Sequence, residues 1–143
     1  MISTELENLV RAGQLKREPG DQAEFDGLVR LGRAKLKDAA NRDLSPESRF
    51  DLGYNGAHAL SLAALRWRGY RSDKRFVVFQ ALPHTLNLSA SVWRVLATAH
   101  QRRNDAEYEG SVEVDTQLLA DLLSAAEKVG AAVAALGPVP GAA

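Results

Sequence analysis

The sequence predicts an all-α fold: an up-and-down bundle of four longer helices with an additional N-terminal helix and a short helix before the fourth. Three observations carry this expectation. Apolar residues recur at three- and four-residue intervals along most of the chain. Ser, Asp, Pro and Gly stand where helices start and stop. No repeat or long linker divides the 143 residues, which suit a single core. Residues 1–136 are read as one helical domain and 137–143, "GPVPGAA", as a disordered tail.

The opening helix, Thr4–Leu15, places Leu6, Leu9, Val10 and Leu15 on one side, with Ser3 or Thr4 able to cap it. "KREPGD" breaks the chain, and Asp21 caps a helix running to about Arg42. Phe25, Leu28, Val29, Leu36 and Ala39 or Ala40 mark its inner face. "DLSPES" is the strongest start signal, because Ser45 can accept from free amides and Pro46 fits the first helical position. That helix should reach Arg68, with Gly69 as its stop and Phe50, Tyr54, Ala57, Ser61, Ala64 and Leu65 as its core stripe. Gly53, Gly56 and the alanines weaken it intrinsically, a cost consistent with close approach of another helix. "RSDKR" reads as a polar connector, and "FVVFQALPHTLNL" as a short helix broken at Pro83. Ser89 should cap the next helix, which turns Val92, Leu96, Ala99 and either Arg103 or Asn104 inward. After "GSVEV", Asp115 caps a last helix with Leu118, Leu119, Leu122, Leu123, Ala126 and Val129 as its stripe, weakened at its end by Gly130.

Bulk properties exclude several function classes. Lys plus Arg and Asp plus Glu both number 18, so a general electrostatic grip on nucleic acid is not expected, although local patches remain open. There are no cysteines, hence no disulfides or thiolate metal sites. The N-terminal stretch lacks the apolar run of a signal peptide, and no segment approaches ~18 uninterrupted apolar residues. A cytoplasmic protein with no membrane partner is expected.

One stretch is unusual for a helix: "AHQRRNDAEYEG", residues 99–110. His100, Asn104 and Tyr108 recur every four residues and form a polar ridge, flanked by Arg103 and Glu107. A guanidinium offers a planar fork of donors suited to phosphate, and a neighbouring Asn or Tyr can orient it. The same residues also suit a structural role, with Asn104 and Tyr108 bonded to other helices and the charges paired at the surface. His58 lies one turn beyond Tyr54 and can face the same interhelical cleft, or be an ordinary half-buried histidine; His84 reads as solvent-facing. The histidines show no metal-ligand spacing, so neither metal nor cofactor is expected. "RWRGYRSDKR", residues 66–75, mixes cations and aromatics as RNA-binding surfaces do, or is a helix end whose arginines favour the dipole.

The chain resembles the HEPN domain family, helical-bundle proteins of prokaryotic toxin–antitoxin and defence systems. The likeness is carried by "RFDLGYNGAHALSLAALRWRGYR", residues 49–71, and by "AHQRRNDAEYEG", and it spans roughly residues 20–130. Many members are metal-independent endoribonucleases with an Arg followed, four to six residues on, by a His. The resemblance puts Arg103 in the Arg place, Asn104 beside it and Tyr108 where the His should be. A phenol titrating near pH ~10 is a poor proton shuttle, and losing general acid–base help costs ~10²–10⁴-fold. Arg94 and His100 satisfy the literal spacing, but on a straight helix their side chains lie about 120° apart. The resemblance therefore implies a non-catalytic binding or dimerisation module. It would act as a homodimer, with a nucleotidyltransferase, RNA or a nucleotide as partner. The alternatives are a ribonuclease toxin and a purely structural interaction protein. Candidate ligand-binding residues are Arg102, Arg103, Asn104, Tyr108, Tyr54 and His58; candidate catalytic residues are Arg103, Tyr108 and His100. The reading rests on Arg103 and Tyr108 projecting together into a wet groove.

Overall fold

A computed structural model describes residues 3–110 and 114–141, so part of the predicted "GSVEV" connector and the last two residues of the predicted tail lie outside it. The chain is mostly helical, with long helices α2 (Gln22–Ala39), α3 (Pro46–Trp67), α6 (Ala90–Glu109) and α7 (Thr116–Ala134) packed together. Shorter helices α1 (Thr4–Arg11), α4 (Arg75–Gln80) and α5 (Leu82–Thr85) complete the helical set. Among the described residues no helix is long and apolar enough to cross a membrane.

Local chemistry explains most helix starts. The side chains of Ser3, Asp21, Ser45 and Asp115 accept from the backbone amides of Leu6, Glu24, Ser48 and Gln117, which satisfies donors that a helix start leaves free. Ser89 occupies the predicted N-cap position but bonds the Ser91 hydroxyl at 2.8 Å instead of an amide. α1 stops at Arg11, four residues short of the prediction, because Gly13 turns through a positive φ of 75°. Leu15, predicted inside that helix, is buried beyond the turn. The chain breaks at Ala81 between α4 and α5, and Pro83 sits in the first turn of α5, where its missing amide costs nothing.

The core stripe of α3 is as predicted: Phe50, Tyr54, Ala57, Ser61, Ala64 and Leu65 are all buried. α2 crosses it where Gly32 meets Gly56. A Cβ on Gly32 would lie 2.6 Å from Leu60 Cγ and 3.1 Å from the Gly56 carbonyl, so the helices touch backbone to backbone. α7 packs Leu119, Leu122, Ala126, Val129 and Val133 into the same core. It also runs through Gly130 to Ala134 instead of fraying there, since Gly130 is buried against Leu60.

Three features depart from the expected outline. Lys16–Arg17 (β1) and Tyr70–Arg71 (β2) form an antiparallel ladder, pairing Lys16 with Arg71 and Arg17 with Tyr70, so a minimal sheet joins the helices. The predicted disordered tail is docked over its described part: Val139 is buried, its amide donates to Gln22 Oε1 at 2.8 Å, and Trp67 Nε1 donates to the Gly137 carbonyl at 2.9 Å. Apolar burial and two hydrogen bonds offset the chain entropy that a free tail would keep.

The predicted basic-aromatic stretch, finally, is tied into the fold through Arg66, Arg68, Tyr70 and Arg71. Arg66 is 2% exposed and donates to Glu24 at 2.6 Å and to the carbonyls of Glu18, Pro19 and Tyr70. Arg71 reaches Glu18 and Glu24, and Arg68 reaches the Thr85 carbonyl. Nearby, Tyr70 and Arg17 both bond Glu7 and hold its carboxylate down at about 2; burial, then that carboxylate, pushes the Tyr70 phenol up to about 12. Arg66, Arg68 and Arg71 close the α3 end of the fold, while Arg75, the last residue of the stretch, lies apart from them over the Tyr54 ring.

Candidate functional site

The side chains that chemistry can use converge where α3, α4 and α6 meet. Tyr54, at the middle of α3, is fully buried, and its hydroxyl lies 2.8 Å from Nδ1 of His100 on α6. The two rings are nearly parallel, 6.1 Å apart. His100 Nε2 is 3.3 Å from the Asn104 amide nitrogen, one turn further along α6. In that orientation Asn104 donates to Nε2, and Nδ1–H donates to the Tyr54 oxygen. The buried Phe79 of α4 meets Tyr54, His58 and His100 edge-on, with centroids 5.9, 5.9 and 6.5 Å away. It forms the apolar floor of the cluster.

Two arginines close over this floor. The Arg103 guanidinium lies 5.0 Å from the centre of the Tyr54 ring and that of Arg75 lies 5.5 Å from it, within cation–π range. Arg103 is held loosely, by Asp51 at 3.6 Å and Glu107 at 3.8 Å, both well exposed. Arg75 donates to the Asn55 side chain at 2.9 Å, and among the described residues no carboxylate lies within ion-pair distance of it. The electrostatics follow from this imbalance. Burial, followed by the charges of Arg75, His100 and Arg103, pushes His58 down to about 4. Burial and both arginines also lower His100, against a smaller opposing pull from Glu107. Both histidines are thereby held below the ordinary imidazole range, in a cluster already short of negative charge.

The predicted residues divide cleanly. Arg103, Asn104, His100, Tyr54 and His58 are brought together. Arg102 is exposed and stands apart, as is Arg94, so the Arg94–His100 pairing has no geometric support. Tyr108 is 93% exposed and has no hydrogen bond among the described residues. Within a single chain Arg103 and Tyr108 therefore share no groove. Five positions on a helix turn the two side chains about 140° apart, and only one of them can face α3.

Arg75 was singled out only as the last cation of the 66–75 stretch, not as a member of the Tyr54–His100 cluster, because its sequence neighbours give no hint of that partner. It stands at the first position of α4, where a cation opposes the helix dipole and the first turn holds no acidic residue. Phe79 and Asn55 were missed, since nothing local distinguishes a floor residue from any other core residue.

Among the described residues no three His, Asp or Glu side chains group as metal ligands would. A groove of about 520 Å³, lined by Arg33, Lys37, Leu60, Glu127 and Gly130, opens between α2 and α7 and shares no residue with the cluster. What the cluster can do chemically is accept an anion: two half-buried guanidiniums and two neutral imidazoles line one apolar floor. The chain has no significant match to a family model, a curated protein or a solved structure.

Proposed function

We propose that this chain is a HEPN-like helical protein that works as a binding module, holding a phosphate group of RNA or of a nucleotide at Arg103 and Arg75. The observation that carries the reading is the shortage of carboxylates: Arg75 has no acidic partner among the described residues, and Arg103 has only two distant ones. A buried or half-buried cation left without a counter-ion is costly, and a phosphate would supply both the charge and the acceptor oxygens. The HEPN resemblance adds the wider setting, a second copy of the chain across a twofold axis and a nucleotidyltransferase as partner, in the cytoplasm.

Calorimetric titration with a short single-stranded RNA tests the reading. Arg103→Ala and Arg75→Ala should each weaken binding about 10-fold or more, the worth of a charge-assisted hydrogen bond. Sedimentation should give a dimer, and the RNA should be recovered intact. Equal affinity in wild type and both variants would sink the phosphate site. A purely structural role would instead show as lost stability with no change in any binding.

A second reading, a metal-independent endoribonuclease, is favoured by one observation. His100 and Arg103 both lie against Tyr54, so an imidazole and a guanidinium share one site, as general acid–base cleavage of a phosphodiester requires. Cleavage of RNA in the presence of a chelator, abolished by His100→Ala and unaffected by Tyr108→Phe, would establish it in place of the first.

A further inference from the structure

Beside the cation cluster, the α4–α6 seam exposes an aromatic pair that the fold does not need at the surface. Phe76 is 43% exposed and meets Trp93 edge-on, with centroids 6.1 Å apart and planes at 88°. Trp93 is half-buried and packs against the main core, so it is rigidly held while Phe76 stays accessible. Phe76 directly follows Arg75. Trp93 precedes His100 by seven residues, which puts both on nearly the same face of α6, about 10 Å apart along the axis. The aromatic pair thus lies on the same two helices as the arginines, Phe76 with Arg75 on α4 and Trp93 with Arg103 on α6.

We infer that Phe76, backed by Trp93, is a stacking platform for an unpaired nucleobase whose neighbouring phosphate sits at Arg75 and Arg103. This rests on the phosphate reading above and adds to it the base, and with it the preference for single-stranded over base-free ligands. An exposed phenylalanine has no hydrogen-bonding group with which to read a base edge, so the platform accepts any base by its π-face. An edge-on tryptophan behind it fixes the ring without covering it. The adjacent arginines favour a polyanion over an apolar protein surface as the occupant.

The test compares hexa-adenylate with an abasic ribose-phosphate hexamer of equal charge, titrated into wild type, Phe76→Ala, Phe76→Tyr and Arg103→Ala. Wild type should prefer the base-bearing hexamer. Phe76→Ala should weaken hexa-adenylate by about 5- to 100-fold, and by at least fivefold more than it weakens the abasic hexamer. Phe76→Tyr, which keeps the ring, should restore most of that loss. If both hexamers bind wild type alike, or Phe76→Ala weakens them equally, the platform is wrong, as it would be for a seam that docks a protein. Arg103→Ala reports on the phosphate site separately, since it should weaken both hexamers by one factor. No effect of Arg103→Ala on either ligand overturns the phosphate reading and this inference together.

Discussion

α3 carries an arginine-rich cluster at its C-terminal end and another against its middle, and the two are built on opposite plans. At the end, Arg66 is sealed from solvent and every hydrogen-bonding edge of its guanidinium is occupied, by Glu24, Glu18 and the carbonyls of Glu18, Pro19 and Tyr70. Arg71 shares the same two carboxylates. At the middle, Arg75 and Arg103 sit half-buried over Tyr54, with one amide and two remote carboxylates between them. A satisfied guanidinium fixes a fold. An unsatisfied one leaves the protein with charge still to neutralise, and that difference separates a structural knot from a candidate site far better than the count of arginines does.

The contrast can be broken experimentally. The largest effect is expected at the closed cluster: Arg66→Met leaves three carbonyls without their donor, while Glu24 keeps Arg71, and should cost about 3 kcal/mol in urea unfolding, at ~1–3 kcal/mol for each buried acceptor left unpaired. A loss below about 1 kcal/mol would mean the knot is dispensable.

Next comes acid. His58 is held at about 4 when folded, against 6.5 when free. Between these values the unfolded chain takes up a proton that the folded chain refuses, so stability falls as pH drops from about 6.5 to about 4 and levels off below. The loss should be on the order of 2 kcal/mol, read from urea midpoints at pH 7.5 and 4.5, and His58→Gln should flatten most of it. The lowered His100 adds to the slope in the same direction. An anion bound by the arginines should raise both histidines and shrink the acid loss, which links the titration to the site.

Smaller still, Arg103→Ala should change stability by less than about 1 kcal/mol, because its ion pairs are long and solvated. Its consequence belongs to binding. At the bottom of the scale, Tyr108→Phe should leave stability within about 0.5 kcal/mol of wild type, as expected of a side chain 93% exposed. A larger shift there would bring the phenol back into the site.

Much of the helical outline was legible because its signals are local. Asp21, Ser45 and Asp115 cap helices within three residues of themselves, and the α3 stripe follows a 3.6-residue period that needs no partner to be seen. The same local reading went wrong at Tyr108. Spacing placed it on a ridge with His100 and Asn104 but could not say how far along α6 the neighbouring helices reach. His100 meets Tyr54 and Arg103 meets its ring, whereas Tyr108 lies beyond that cover. Arg75 was legible only as one cation of the 66–75 stretch, since its place over Tyr54 depends on what α3 brings to it.

What the sequence by itself determined is where the helices begin, roughly where they end and which face of each is apolar, because capping bonds and side-chain periodicity act over three or four residues. Tertiary structure alone decided which arginines are neutralised and which are left wanting, that Val139 docks beside Gln22, and that Lys16–Arg17 pairs with Tyr70–Arg71. Those outcomes depend on partners 20 to 117 residues away, as in the Arg75–Asn55 and Val139–Gln22 bonds. Such distant contacts form only once burial of the shared core has brought the helices together.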